Sequence, residues 1–309
     1  MSNQPVLTAA PSPGSLVSRP APVVSVVVPC FNEEHAVAQT LADLHRALPA
    51  VGEYEIIFVD DGSTDGTAEV IEREGRGSDQ VRLLRHQRNR GYGAELKTGM
   101  RAARATLVAI TDADGTYPNE RLPEMIRATE SADMVVGARI GANVKYPFIR
   151  RVPKAFLRAY ASWIAGQHVP DMNSGLRVFR REVAERFLGV LPDGFSFTTT
   201  ITLAMLTNAY AVKYLPIDYA ERIGRSKIRP IRDTLTFFQL IARTGLYFAP
   251  LRVFLPFAFV LGLGFIASAS YDVVVLRNLT DKTVILLLFS MNTAMFAAIA
   301  DMIDKRTSR

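Results

Sequence analysis

The chain has 309 residues and a formal net charge of +6, with 36 Lys and Arg against 30 Asp and Glu. This length allows one large domain and an additional module. Its only cysteine, Cys30, excludes an intrachain disulfide and favours a reducing compartment. Because the chain has no basic repeat with interleaved aromatic residues, the sequence argues against nucleic-acid binding.

The N-terminal segment 1–22 is rich in Pro, Ser and Ala and lacks the apolar run of a signal peptide, so we expect a disordered leader. From Val23 onward, β-branched runs alternate with amphipathic segments. Strands are predicted at 23–28, 54–59, 81–84, 106–111, 134–137 and 176–179, and helices at about 33–48, 64–74, 93–104 and 119–130. This alternation predicts an α/β fold with a Rossmann-like, mostly parallel and doubly wound sheet.

The fourth predicted strand runs directly into Asp112-Ala113-Asp114. Alternate residues of a strand point the same way, so the two carboxylates can face one ligand. The carboxyl edge of an open α/β sheet is where ligands bind. Two hard oxygen donors there suit Mg²⁺ or Mn²⁺ carrying a substrate diphosphate. The alternative is an ordinary acidic turn.

Two earlier strands also end in polar motifs, Pro-Cys-Phe-Asn-Glu (29–33) and Asp-Asp-Gly-Ser-Thr-Asp-Gly (60–66). Each has a structural interpretation, in which Ser63, Thr64 and Asp65 cap a helix and nearby glycines shape a loop. Carboxylates at three neighbouring strand ends would repel one another without a compensating ligand. The set therefore predicts a nucleotide site with a metal.

These motifs, with Asn-Arg-Gly-Tyr-Gly-Ala at 89–94 and Asp-Ala-Asp-Gly-Thr at 112–116, resemble those of family 2 glycosyltransferases with the GT-A fold. The resemblance covers about residues 23–230 and is greatest for polyprenyl-phosphate glycosyltransferases, the dolichyl-phosphate mannose and glucose synthases. It implies that Asp112 and Asp114 bind the metal and the donor diphosphate. It further implies that the donor nucleotide contacts Pro29, Phe31, Glu33, Asp60, Asp61 and Ala113.

Mannose synthases of this group often carry Gln two places beyond the second Asp, as a further metal ligand. This chain has Thr116 there, in a context nearer the glucose-type members. We therefore expect a UDP-hexose donor resembling UDP-glucose, with GDP-mannose as the alternative.

Basic residues are concentrated between Arg139 and Arg252, where 18 Lys and Arg stand against 7 Asp and Glu. Apolar residues recur at helical spacing in segments 147–166 and 230–250, with basic residues between them. This pattern predicts two interfacial helices, one within a catalytic domain spanning 23–229 and one forming a juxtamembrane helix at 230–252. Two core helices with solvated basic faces are the alternative.

By the same resemblance, Arg139 and Arg151 hold a lipid phosphate, while Arg222 and Lys227 lie in a loop that closes over the donor diphosphate. A guanidinium matches phosphate geometry and keeps its charge. Attraction to anionic headgroups alone is the alternative for that loop. Many inverting family members also carry a carboxylate base where segment 194–200 has hydroxyls. Because a phosphate acceptor is already an anion, the missing base favours a lipid-phosphate acceptor.

Two apolar segments, 253–276 and 283–303, are each long enough to cross roughly 30 Å of hydrocarbon as a helix. Basic residues flank their outer ends, so the positive-inside rule puts the catalytic domain, both termini and a tail at 304–309 in the cytoplasm. A buried hairpin inside a soluble domain is the alternative. Exposed apolar faces would permit a homo-oligomer.

The sequence thus predicts an integral membrane enzyme of the cytoplasmic membrane. It would transfer a hexose, with inversion, from a nucleotide sugar to polyprenyl (undecaprenyl or dolichyl) phosphate at the lipid bilayer. A polysaccharide-making enzyme is a rival, but its usual Gln-x-x-Arg-Trp motif is absent, since the only tryptophan, Trp163, follows Ala-Ser. A non-catalytic nucleotide-sugar-binding adaptor is the other rival. It would be expected to lose the carboxylates or the cationic loop, and both are intact.

Overall fold

The computed structural model of the chain describes residues 21–140, 151–194, 196–220, 239 and 243–307, without the side chains of 151–157 and 304–307. Three sequence predictions therefore fall wholly or mostly outside the described residues. They concern the leader, the cationic loop with Arg222 and Lys227, and most of the juxtamembrane helix.

Seven strands form one sheet in the order β3-β2-β1-β4-β6-β5-β7. They are β1 (Val24–Cys30), β2 (Tyr54–Asp60), β3 (Val81–Arg85), β4 (Leu107–Ile110), β5 (Met134–Ala138), β6 (Arg177–Arg180) and β7 (Val212–Pro216). Neighbouring strands are parallel except at β6, which runs antiparallel to both β4 and β5. The predicted mostly parallel sheet is confirmed, and β7 is an addition that the sequence analysis lacked.

The helices are α1 (Val37–Ala47), α2 (Thr67–Glu74), α3 (Tyr92–Ala102), α4 (Leu122–Ala128), α5 (Arg151–Ala165), α6 (Arg181–Glu185), α7 (Phe197–Thr207), α8 (the helical residues 243–248), α9 (Pro250–Tyr271) and α10 (Asp281–Thr307). Short 3₁₀ turns occupy Leu48–Val51, Asn119–Arg121 and Thr129–Ser131, and a π-helical turn, Asp272–Leu276, extends α9.

The sheet is covered by helices on both faces, as the β-branched runs predict. In β1, Val26 packs into the same core as Leu41 of α1, whereas its neighbour Val27 packs into a second core with Leu96 of α3. Every residue of β1 and β2 is buried. This two-sided burial explains why both strands are mainly apolar.

The carboxyl ends of β1, β2, β4 and β5 lie at one edge of the sheet, because these four strands run in the same direction. The antiparallel β6 begins at that edge, with its first residue, Arg177, paired to Ile110 at the end of β4. The loop before β6 is thereby brought beside the polar residues that follow β4.

The apolar segments near the C-terminus form two long helices that pack against each other. Candidate membrane spans are Pro250–Leu276 and Asp281–Ile303. Each has mean hydropathy 2.0, and only 11% of its apolar 18-residue stretch is buried. Phe254 and Phe296 stack edge-to-face at 5.2 Å, and Ser290 Oγ donates to the Ala258 carbonyl at 3.0 Å. Such exposure argues against a hairpin buried in a soluble domain, because nearly all the apolar surface would face water.

Candidate active site

The two carboxylates predicted to bind a metal lie directly after β4, and neighbouring hydroxyl groups orient both. Asp114 is 7% exposed, and its Oδ1 accepts hydrogen bonds from the Thr116 amide (3.2 Å) and hydroxyl (2.6 Å). Asp112 is half-buried, and its Oδ1 accepts a hydrogen bond from the Tyr92 hydroxyl at 2.9 Å. Thr116, where the mannose synthases often carry Gln, thus holds Asp114. Ala113 is buried, and its carbonyl accepts a hydrogen bond from Thr40.

The loop 171–175 closes over Asp112 from the other side. A Cβ at Gly175 would lie 2.8 Å from Asp112 Oδ1 and 2.9 Å from Oδ2. The Gly175 amide also donates to the Tyr117 hydroxyl at 2.6 Å. Glycine at this position therefore leaves the space that the carboxylate needs.

The donor atoms of this pair fit a divalent cation such as Mg²⁺ or Mn²⁺, which prefers hard carboxylate oxygens. Within the part of the chain that the structure describes, no group of three or more His, Cys, Asp or Glu side chains is suited to hold a metal. The remaining coordination positions would therefore fall to substrate oxygens and water. This is the donor set expected where a metal is bound together with a diphosphate.

The loops after β1 and β2 are joined side by side into one crevice wall. Asn32, in the left-handed region at φ 56°, donates its amide to Ser63 Oγ and accepts a hydrogen bond from the Thr64 amide. The Glu33 amide donates to Thr67 Oγ1 at 2.9 Å. Pro29 is buried within β1, whereas Phe31 and Glu33 stay half-exposed beyond its end. These bonds delay the start of α1 to Val37, four residues later than predicted.

Asp60, the last residue of β2, is fully buried and only partly satisfied. Its Oδ1 accepts a hydrogen bond from the Ser63 amide at 3.0 Å. Its Oδ2 lies 3.3 Å from Arg85 Nε but accepts no hydrogen bond from the described residues. A buried carboxylate oxygen without a donor is costly. The arrangement suits a ligand hydroxyl, such as that of a ribose.

Asp61, predicted to contact the nucleotide, already accepts several hydrogen bonds from the protein. His86 Nδ1 lies 2.6 Å from its Oδ1, and the amides of Arg90 and Gly91 donate to its oxygens at 2.7–2.9 Å. The Asp61 carboxylate thus fixes the 89–94 loop and only indirectly shapes the crevice.

Arg139, at the end of β5, forms a bidentate pair with Asp171. Its Nε and Nη2 donate to the two carboxylate oxygens at 2.8 and 3.0 Å, and its guanidinium lies 5.3 Å from the ring centre of Tyr219. Burial alone would raise the pKa of Asp171, but the hydrogen bonds and charge of Arg139 outweigh it and hold that pKa at about 2. The pair therefore stays ionised at neutral pH.

Arg177, at the start of β6, is fully buried and organises the 171–175 loop. It donates from Nε to the Ser174 carbonyl and from Nη2 to the Met172 carbonyl, both at 2.7 Å, and from Nη1 to Thr202 Oγ1 at 2.6 Å. A buried cation is costly unless its donors are used in this way. The Arg177 guanidinium therefore holds the backbone of the 171–175 loop in position.

Glu95, on the first turn of α3, was missed by the sequence analysis. It is 4% exposed, and its Oε1 has no hydrogen-bond partner among the described residues. Burial, assisted by the nearby charge of Asp61, raises the pKa of Glu95 to about 9, so it keeps its proton at neutral pH. The sequence signal was weak, because a Glu near a helix start is usually exposed.

The structure brings most of the predicted site residues together at one sheet edge. Arg151 begins α5, but its side chain is not among those described, and Arg222 and Lys227 lie outside the described residues. Their assignment to phosphate binding stays a prediction.

Comparisons with known proteins identify similar chains. A family model described as Glycosyl transferase family 2 matches residues 25–188, more than half of the chain. The dolichyl-phosphate hexose transferase of Haloferax volcanii is 32% identical over 209 residues, which is 67% of this chain and 87% of that protein. The polyprenol monophosphomannose synthase of Mycolicibacterium smegmatis is 30% identical, over 68% of this chain and 82% of that protein.

Solved structures share the fold at low sequence identity. Glucosyl-3-phosphoglycerate synthase from Mycobacterium tuberculosis, in complex with UDP, has a TM-score of 0.56 at 18% identity, covering 73% of this chain and 79% of that chain. The same enzyme with Mn²⁺, UDP and glucosyl-3-phosphoglycerate has a TM-score of 0.53 at 20% identity, with the same coverage. This likeness confirms the predicted GT-A fold.

Proposed function

Because the chain belongs to glycosyl transferase family 2, we propose that it transfers a hexose, with inversion, from a nucleotide sugar to a polyprenyl phosphate. The observation that carries this proposal is the asymmetry of the sheet edge. Carboxylates follow β1, β2 and β4, whereas Arg139, held by Asp171, follows β5. A donor diphosphate with its metal fits the first group, and an anionic acceptor fits the second.

The acceptor side also lacks the expected base. The first turn of α7 carries no acidic residue, and its Thr199 donates to Asn173 Oδ1 at 2.6 Å, so this turn lies against the 171–175 loop. A hydroxyl acceptor would need a group to remove its proton. A phosphate acceptor needs none, since it is an anion at neutral pH.

The relatives support the same acceptor class. Those above are named for dolichyl-phosphate hexose transfer and polyprenol monophosphomannose synthesis. A protein of Pseudomonas fluorescens, 29% identical over 82% of this chain and 74% of its own length, is named for transfer of 4-deoxy-4-formamido-L-arabinose involving undecaprenyl phosphate. The sugars in these names differ, whereas a polyprenyl carrier recurs in all three. We therefore propose a polyprenyl phosphate acceptor for this chain as well.

In the proposed mechanism, Asp60 accepts a hydrogen bond from the donor ribose. Asp112 and Asp114, oriented by Tyr92 and Thr116, would hold a divalent cation at the diphosphate end. A divalent cation bound there would neutralise the charge that grows on the leaving diphosphate. Arg139 is oriented by Asp171 toward the acceptor phosphate. One phosphate oxygen bonds to the anomeric carbon as the bond to the diphosphate breaks on the opposite face, and the leaving diphosphate keeps the electron pair. Inversion follows from this geometry.

The finer assignments rest on sequence. We propose a donor resembling UDP-glucose, because Thr116 stands where mannose synthases often carry Gln, and GDP-mannose is the alternative. Arg151, Arg222 and Lys227 are proposed to bind phosphates. The two apolar helices are proposed to span the cytoplasmic membrane, with the catalytic domain and both termini in the cytoplasm.

The test is a donor panel of UDP- and GDP-sugars with polyprenyl phosphate, using the purified full chain in lipid, with Mn²⁺ or Mg²⁺ and with EDTA. We expect one sugar to appear in a lipid product, and EDTA to abolish it. Absence of a lipid product under every condition would overturn the proposal. Product formation that continues in EDTA would overturn only the metal assignment.

A further inference from the structure

One face of α10 is not covered by α9 in the described part of the chain. Thr283 and Ala297 are buried on the side toward α9. The opposite side exposes a stripe, which we call the α10 seam: Ile285, Leu288, Asn292, Met295, Ile299 and Met302. These positions are spaced alternately by three and four residues. That heptad spacing is typical of a two-stranded helical interface.

Asn292 interrupts the seam with an amide at the middle of the candidate span Asp281–Ile303. At about 1.5 Å per residue, it lies roughly 16 Å along the helix from either end. Its side chain is exposed, and within the described residues no hydrogen bond to it is found. An amide facing hydrocarbon without a partner is costly. We therefore expect the Asn292 amide to hydrogen bond to a partner group near the middle of the membrane.

The other polar groups at this depth are already satisfied, which sets Asn292 apart. Ser290 Oγ donates to the Ala258 carbonyl of α9. Thr293 Oγ1 donates to the Phe289 carbonyl of its own helix at 2.7 Å. Among the described residues at this depth, the Asn292 amide lies on the exposed side of α10 and has no such hydrogen bond.

We propose that α10 pairs in parallel with α10 of a second copy along the α10 seam, with the two Asn292 amides bonded to each other. The proposal rests on the membrane hairpin of the proposed function, because copies inserted with the same orientation present parallel helices. An amide carries both donor and acceptor, so a two-fold axis makes it self-complementary.

The remaining seam residues agree with this pairing. The positions equivalent to Asn292 in the heptad are Ile285 and Ile299, and the alternate positions are Leu and Met. β-branched residues at the first position, Leu at the second and a single Asn favour a parallel two-stranded pair in one register. A groove of about 380 Å³ is lined by three seam residues, Asn292, Met295 and Ile299, and by Phe254, Thr293 and Phe296, so it can receive a partner side chain.

Energy transfer between donor- and acceptor-labelled full chains in phosphatidylcholine vesicles, at several protein-to-lipid ratios, measures the dimer dissociation constant. One or two interhelical hydrogen bonds in lipid predict that Asn292→Leu raises this constant about 3- to 30-fold. Asn292→Gln, which keeps the amide, should stay near wild type. Ser270→Ala removes a hydroxyl of α9 that donates to the Ile266 carbonyl of its own helix. It lies outside the seam and its groove, so it is the control and should leave the constant unchanged.

Cysteine cross-linking tests the register in case the leucine variant folds poorly. Ile299→Cys lies on the seam at 45% exposure, whereas Met291→Cys lies off it at 62%. The native Cys30 is 1% exposed and should not form a cross-link. Mild oxidation in vesicles should give disulfide-linked dimers from the Ile299→Cys protein and few from the Met291→Cys protein.

Three results would overturn the pairing: a wild-type chain that is monomeric at every lipid ratio, an Asn292→Leu dimer as tight as wild type, or equal cross-linking at both cysteines. Sugar transfer to polyprenyl phosphate is measured on the same samples. A chain that dimerises through the seam without transferring sugar would count against the proposed function alone.

Discussion

Gly175→Ala is the sharpest available test of the Asp112 assignment, because the added methyl group meets that carboxylate first. The new Cβ would lie 2.8–3.0 Å from the carboxylate atoms. Ordinary carbon contacts begin near 3.5 Å, so one group must move by about 0.6 Å. The Asp112 carboxylate ends a short side chain and yields more easily than the backbone. Gly175 is not among the glycines with positive φ, so alanine adds no left-handed strain.

We expect Gly175→Ala to lower kcat/KM strongly and to change the free energy of unfolding only slightly. Misplacing a catalytic group by about 1 Å can lower a rate on the order of 100-fold, so a shift near 0.6 Å predicts a loss of about 10- to 100-fold in kcat/KM. A displaced carboxylate should also weaken metal binding. The free energy of unfolding should change by only about 1 kcal/mol, as for most tolerated substitutions.

The assay measures the rate against Mn²⁺ concentration, Mn²⁺ binding in the presence of UDP or GDP by electron paramagnetic resonance, and the Tm. Gly189→Ala is the matched control, because its Cβ would have no heavy atom within 4 Å. The variant should need more Mn²⁺ at an almost unchanged Tm. Near-normal kcat/KM with the same Mn²⁺ requirement would refute the role given to Asp112.

Four further substitutions test other parts of the site. Asp114→Asn should abolish turnover, and near-normal activity at saturating Mn²⁺ would contradict its role as a metal ligand. Arg139→Ala should raise the KM for polyprenyl phosphate more than that for the donor, as steady-state kinetics will check. The pKa of Asp171 is held at about 2 from an ordinary value of 3.8, so its ionised form stabilises the fold by about 2 kcal/mol at neutral pH. The stability gap to Asp171→Asn, followed by thermal unfolding, should therefore be full above pH 4 and shrink as the pH falls toward 2. The pKa of Glu95 is raised from 4.5 to about 9, so the wild-type fold loses stability with rising pH across that interval. Glu95→Gln should gain Tm relative to wild type over the same range, and a constant difference would show that Glu95 is ionised.

The sequence was sufficient to place the carboxylates of the proposed donor site at one sheet edge, because that placement follows from parallel strands. Apolar runs identified β1, β2 and β4, and parallel strands put their polar ends at one edge. Asp112 and Asp60 could therefore be assigned to the same crevice before any contact was known. The part of the site that depends on β6 was harder to predict. Nothing in the four residues of β6 shows that this strand lies antiparallel between β4 and β5.

Residues that act through burial were the least predictable from sequence. Glu95 has the pattern of an exposed helix residue, and only the packing of α3 under the crevice deprives it of water. The contact predicted between Asp61 and the nucleotide stays a prediction, and the Asp61 oxygens also accept hydrogen bonds from the amides of Arg90 and Gly91. Local sequence cannot distinguish a carboxylate that meets a ligand from one that meets backbone, because both follow the same strand end.

The 171–175 loop lies between the proposed donor side, the proposed acceptor side and the two apolar helices. Gly175 borders Asp112, and Asp171 holds Arg139, so a shift of this loop would disturb both proposed substrate sites together. The loop has little local structure of its own, which explains why a fully buried Arg177 is used to fix its carbonyls. Met172 packs in one small core with Ala249, immediately before α9. The start of the apolar hairpin is therefore packed against the loop that borders both proposed phosphate sites, and the proposed lipid-phosphate acceptor would be presented from that same side.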